Sequence, residues 1–148
     1  MRSVVPAAGV SGAVHFQRFR IGVKNTSGTT IDHVGVDVVA MRPDQLREII
    51  HLPLPLLAMH NLSAPIDPEQ MRLFDIVSRG YYTQPPPSTQ GGASIEVCNA
   101  AVPGLQIPLQ SFEMTLQVHG ENVPPRSQKV AVRASGLGEP LSFSLVHD

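Results

Sequence analysis

The sequence predicts an all-β fold: an antiparallel sandwich of about seven to eight strands with at most one short helix. Two alternating runs and their punctuation carry that expectation. Phe19, Ile21 and Val23 alternate with Arg18, Arg20 and Lys24, and after Asn25-Thr26-Ser27-Gly28 the alternation resumes through Val34, Val36, Val38 and Ala40. A period of two broken by turn formers predicts a β-hairpin with one face toward a core. Phe112, Met114, Leu116 and Val118, alternating with Glu113, Thr115, Gln117 and His119, give a second strand with one buried face. Pro, Gly, Asn and Ser clusters recur between such runs at short intervals, as the turns of a sandwich require.

Residues 1–13 have no periodicity, and Pro6, Gly9, Ser11 and Gly12 interrupt them, so they read as a flexible arm ahead of a sandwich domain over 14–148. Phe16 falls outside the odd-numbered phase of Phe19, Ile21 and Val23, which suggests a bulge or an early strand start. Pro43 followed by Leu46, Ile49 and Ile50 suits a short helix. In His51-Leu52-Pro53-Leu54-Pro55-Leu56 proline removes a backbone donor at alternate positions, so only an edge strand or an extended run is possible, with its leucines on one side.

Residues 68–79 carry conflicting local signals. Asp67-Pro68 with Gln70 resembles a helix start, Ile66 and Met71 could staple it, and Gly80 could close it. Leu73, Phe74, Ile76 and Val77, by contrast, are residues that favour strands. Residues 81–93 hold Pro85-Pro86-Pro87 and Gly91-Gly92 among Ser and Thr, the composition of a long mobile loop. Short strands are expected at 94–98, around Val130 and Val132, and through Leu141, Phe143 and Leu145.

Arg20-Ile21-Gly22-Val23-Lys24-Asn25, then Leu52-Pro53-Leu54-Pro55-Leu56 with Met59-His60-Asn61, then Ile66-Asp67-Pro68 leading to Phe74-Asp75-Ile76-Val77, together resemble a bacterial immunoglobulin-like domain of uncharacterised function. The resemblance runs in order from residue 16 to 145 and implies an immunoglobulin-like sandwich. It also implies that Ile66-Asp67-Pro68 is the tight turn before a strand, so 71–78 is expected as strand. Such domains usually place Gly after that Pro, where this chain has Glu69. No settled activity comes with the resemblance.

Composition narrows the functional classes. Eleven basic and twelve acidic residues in 148 leave a net charge of -1, with no basic patch to displace counterions from a nucleic acid. Nucleic acid is not expected as a partner. The lone Cys98 has no internal disulfide partner and no adjacent cation, so it reads as an inert thiol. No apolar run reaches the roughly 18 residues of a membrane span, and no export signal is visible, which suggests a cytoplasmic chain or part of a membrane-associated or virion assembly.

The six histidines, His15, His33, His51, His60, His119 and His147, lie in separate segments without ligand spacing, so no metal or cofactor is expected. No nucleophile elbow, Walker loop or paired-carboxylate pattern occurs, and no catalytic residue is assigned. Asn25-Thr26-Ser27 and Asn61-Leu62-Ser63 match glycosylation sequons but read better as turns. The aromatic area of Tyr81 and Tyr82 beside Gln84, at the start of the expected loop, is the best candidate for a partner-binding surface, with His60 and Asn61 as a secondary one. The chain therefore reads as a non-enzymatic interaction or scaffold module of a larger bacterial protein, meeting an unidentified protein and able to self-associate. The alternative is a structural component of a phage particle or surface assembly.

Overall fold

Alternation puts a whole row of aliphatic side chains on one face of each long strand, and burying two such rows requires a second sheet. The computed structural model describes residues 3–11, 14–58, 61–82 and 93–147. Among these residues are eleven strands: β1 (Ser3–Ser11), β2 (Val14–Lys24), β3 (Ile31–Arg42), β4 (Leu54–Pro55), β5 (Ala64–Ile66), β6 (Met71–Tyr82), β7 (Ser94–Val97), β8 (Gln106–Pro108), β9 (Phe112–Gly120), β10 (Val123–Arg133) and β11 (Ser142–Val146). A short 3-10 helix, Asp44–Glu48, buries Leu46. One antiparallel sheet runs β1-β2-β6-β7-β8 and the other β11-β10-β9-β3-β4, with β5 also on β3. The expected all-β sandwich is the fold, with more strands than the periodicity resolves.

The core is aliphatic. Ile21, Val38, Leu56, Phe74, Ile76, Val77, Ile95, Leu116, Val130 and Val132 are completely enclosed between the layers. Each such side chain contributes about 1.5–3 kcal/mol relative to exposure. Leu54 and Leu56 are buried and Leu52 packs beside them, as the leucine–proline alternation predicts, and the short strand β4 edges the second sheet.

Three expectations are corrected. The runs around Ile21 and Val36 do not form a hairpin: β2 lies in the first sheet, between β1 and β6, and β3 in the second, against β9. The connection at 25–30 crosses between the layers, so the two apolar faces meet across the core rather than side by side. Second, residues 3–11 are not a loose arm but strand β1, paired with β2 from Ser3↔Gly22 to Ser11↔Val14. Its sequence lacks alternation, and the backbone ladder of β2 supplies the template. Third, with β2 beginning at Val14, Phe16 reflects the early strand start and not a bulge. It keeps the even phase, points outward and is 57% exposed, resting on Gly80, where an added Cβ would meet its ring at 3.1 Å.

Residues 71–82 are strand throughout, and an irregularity explains their mixed signals. The pairing of β2 with β6 shifts between Phe19 and Arg20, so Phe19 faces Val77 while Arg20 faces Asp75. Ile76 is the extra residue of this bulge, and both Ile76 and Val77 reach the core. Two consecutive inward side chains look helical in sequence and are accommodated here by a kinked strand.

The turn before β6 has Pro68 at its second position and Glu69 at its third, with Gln70 N–H donating to Asp67 C=O at 3.0 Å. Glu69 adopts φ +67°, the left-handed conformation that glycine accepts without a Cβ penalty. Its 3.2 Å pair with Lys24 is exposed and adds little. Replacing Glu69 with Gly should raise stability by about 0.5–1 kcal/mol, read as a higher denaturant midpoint with an unchanged slope. A lower midpoint would show that the ion pair outweighs the backbone strain.

Candidate functional site

The structure separates the residues that sequence reasoning groups together. Tyr81 is not on a loop: it is the penultimate residue of β6, only 6% exposed. Its ring stacks on His15 across the ladder, centroids 5.2 Å apart, and the Arg79 guanidinium lies 4.8 Å from its centroid. Tyr81 is an internal anchor, because the strand extends two residues beyond where the proline-rich composition suggests it stops. Tyr82 ends the same strand opposite Val14. Gln84 and His60 lie outside the described residues. Asn61 is exposed, and its backbone pairs in both directions with Ala58, at 2.9 and 3.0 Å.

Sequence reasoning missed a highly organised polar cluster among the described residues. Arg79, 3% exposed, donates to the carbonyls of Glu139 (2.6 Å), Leu137 (2.6 Å) and Gly136 (3.3 Å). Burial lowers its pKa from the ordinary guanidinium value, with Tyr81 acting in the opposite direction. Gln17, directly opposite Arg79 in the ladder, donates to Leu141 C=O at 3.1 Å and accepts from Leu141 N–H at 2.8 Å. Two side chains of the first sheet thus hold the whole β10–β11 connection of the second. An Arg in a strand carries no signal of such a role, since its partners are about sixty residues away in sequence.

Asn25 makes the corresponding tie at the opposite end. It is 3% exposed; its amide donates to Thr29 C=O (2.7 Å) and Ile66 C=O (2.8 Å), and its Oδ1 accepts from the Ser27 backbone and hydroxyl. Both amide hydrogens are engaged, which fits the reading of this sequon as a turn and leaves no free amide for modification. Among the described residues no buried side-chain nitrogen or oxygen lacks a partner.

Two of the open concavities among the described residues lie beside these elements. A shallow groove of about 770 Å³ runs over the outer face of β2 and β6, lined by Arg18, Arg20, Asn61, Ser63, Leu73 and Asp75. Arg20 is neutralised there by Asp75 at 2.7 Å. A smaller cleft of about 240 Å³ opens between the layers at the Asn25 end, with Ile31, Val34, Ile66 and Val118 as its apolar wall.

His119 meets Asp37 at 3.2 Å and His33 meets Glu121 at 2.8 Å, each histidine facing one carboxylate. Gly35 makes the first pair possible: a Cβ there would lie 2.6 Å from the His119 ring. No group of three or more His, Cys, Asp or Glu converges among the described residues.

Cys98 is half-buried, and burial pushes its thiol up to about 11, with a Ser78 hydrogen bond opposing and Glu96 and Asp75 adding. A thiol in that state is not a nucleophile near neutral pH. No family model, curated protein or solved structure matches this chain.

Two predictions follow from these geometries. Arg79→Ala should cost about 2–4 kcal/mol, because it removes charge-assisted hydrogen bonds and strands three carbonyls. Arg79→Lys should recover only part of that, since an ammonium cannot span the fork; equal midpoints for wild type and Arg79→Ala would refute the clamp. Cys98 should react with a disulfide reagent at pH 8 about a hundredfold more slowly in the native state than in denaturant. Similar rates in both states would show an exposed, ionisable thiol.

Proposed function

We propose that this chain is an immunoglobulin-like module that binds or positions other proteins within a larger bacterial protein, without catalysing a reaction. One observation carries the reading: the buried polar side chains, Asn25 and Arg79, are committed to backbone carbonyls that hold loops in place. Polar groups used in this way stiffen a frame. A catalytic site instead aims its polar groups into a cavity and shifts their pKa values toward reactivity. The thiol of Cys98 is shifted the other way.

A stiff sandwich presents the segments leaving its ends at low entropic cost, which is how binding modules place recognition loops on rigid scaffolds. The segment after Tyr82 is the recognition element in this reading, with Asn61 a secondary contact on the separate groove beside Arg18, Arg20 and Asp75. Tyr81, packed against His15 and Arg79, fixes the base of that segment rather than touching a partner.

Deleting residues 84–92 tests the assignment. The expected outcome is an unchanged melting temperature with loss of the partners that cross-linking and affinity capture recover with the wild type. Loss of folding with the same partners retained would overturn a loop-borne site.

A further inference from the structure

Every sheet in an open sandwich ends in strands whose outer backbone groups can pair with another chain, and proteins block such edges with proline or charge. Among the described residues the outermost strands are β1 and β8 in the first sheet, and β4, β5 and β11 in the second. β1 contains Pro6, β4 Pro55, β5 Pro65 and β8 Pro108. β11, Ser-Phe-Ser-Leu-Val, contains neither proline nor charge and pairs only with β10. Four of these five strands carry the same block, and the exception, β11, is tied to the opposite sheet from behind. Gln17 and Arg79 tie down the connection that feeds it, and Phe143 stacks on Phe19 of the first sheet at 5.0 Å.

The geometry points to β11 as a docking edge for a second copy of this chain, the two β11 strands joining antiparallel about a two-fold axis at Ser144 so that the sheet continues from one copy into the other. The strand is self-complementary in that register. Ser144 meets Ser144 of the other copy, a pair that can exchange hydroxyl hydrogen bonds, and Phe143 meets Leu145, an aromatic–aliphatic pair. Both Phe143 and Leu145 lie on the core-facing side, opposite Val132 and Val130, and are only partly buried, so pairing completes their cover. No like charges oppose each other anywhere along the five residues. Such a contact is isologous and closes as a dimer. A five-residue strand pairing is small beside a stable interface, so the association is weak and concentration-dependent.

This inference rests on the proposed role as an interaction module and names one of its surfaces. Ser144 is exposed and faces away from the core, opposite Ala131, so charged substitutions there leave the packing intact. Sedimentation velocity over a concentration series should show wild-type dimers forming reversibly. Ser144→Lys and Ser144→Asp should each weaken self-association by about five- to tenfold while keeping the wild-type melting temperature. An equimolar mixture of the two variants should dimerise again, because Lys then faces Asp across the axis.

A wild type that stays monomeric at the highest concentration overturns the proposal, as does a dimer indifferent to both substitutions or a mixture that fails to recover. A monomer that still captures partners through the segment after Tyr82 overturns the self-pairing alone. One that captures nothing overturns the module reading as well.

Discussion

The ladder between β2 and β6 is the constraint on which the rest of this structure depends. It runs from Val14↔Tyr82 to Lys24↔Met71 and is tied at both ends by buried polar side chains. At one end Asn25, the residue after β2, exchanges backbone hydrogen bonds with Glu69 and Gln70, just before β6, while its side chain gathers Thr29 and Ile66. At the other, Gln17 and Arg79 face each other across the ladder and together seize residues 136–141. Aliphatic burial drives the two sheets together without direction. These directed bonds choose which loop meets which strand, and breaking them is costly because it leaves the buried Asn25 and Arg79 side chains without their partners.

Much of the fold was legible because side-chain period reports burial directly. Phe112, Met114, Leu116 and Val118 could be placed on a core face from spacing alone, as could the leucines at 52, 54 and 56. Period two does not, however, say which strand lies beside which. β2 and β3 read as a hairpin because an arch between two layers and a turn within one layer share the same alternation. The discriminating feature is the buried side chain of Asn25, which folds the connection back under Ile66, and burial of a single Asn has no sequence signature. The bulge at Ile76–Val77 shows the same limit: a kinked strand and a helix both place consecutive apolar residues on one side, and the resemblance to immunoglobulin-like domains, rather than the residues, favoured strand.

The candidate site was less legible for a different reason. Aromatics adjoining a proline-rich stretch point to recognition residues, a composition argument that places Tyr81 at a loop. The structure gives that tyrosine an inward role, because a cation and a histidine from the ladder surround its ring and a ring with two such neighbours is worth more buried than exposed. The converse error is the silence of Gln17 and Arg79. Their partners lie between 57 and 124 residues away in the chain, so only the assembled sandwich reveals that they act on one connection.

Proline illustrates how topology converts a compositional fact into a physical one. Fourteen prolines in 148 residues read in sequence as loop content and breakers of periodicity, except at Pro53 and Pro55, where they already imply an edge strand or extended run. Once the sheet order is known, Pro6, Pro55, Pro65 and Pro108 fall on outermost strands, where a missing N–H removes a donor that an incoming strand would need. The distribution then has a direction: four edges are closed and β11 is left open, with its approach loop clamped by Arg79 and its Phe143 stacked on the opposite sheet. Rigidity at an open edge lowers the entropy lost on pairing, so in the proposed self-pairing the polar clamp and the unblocked strand would act on the same free energy.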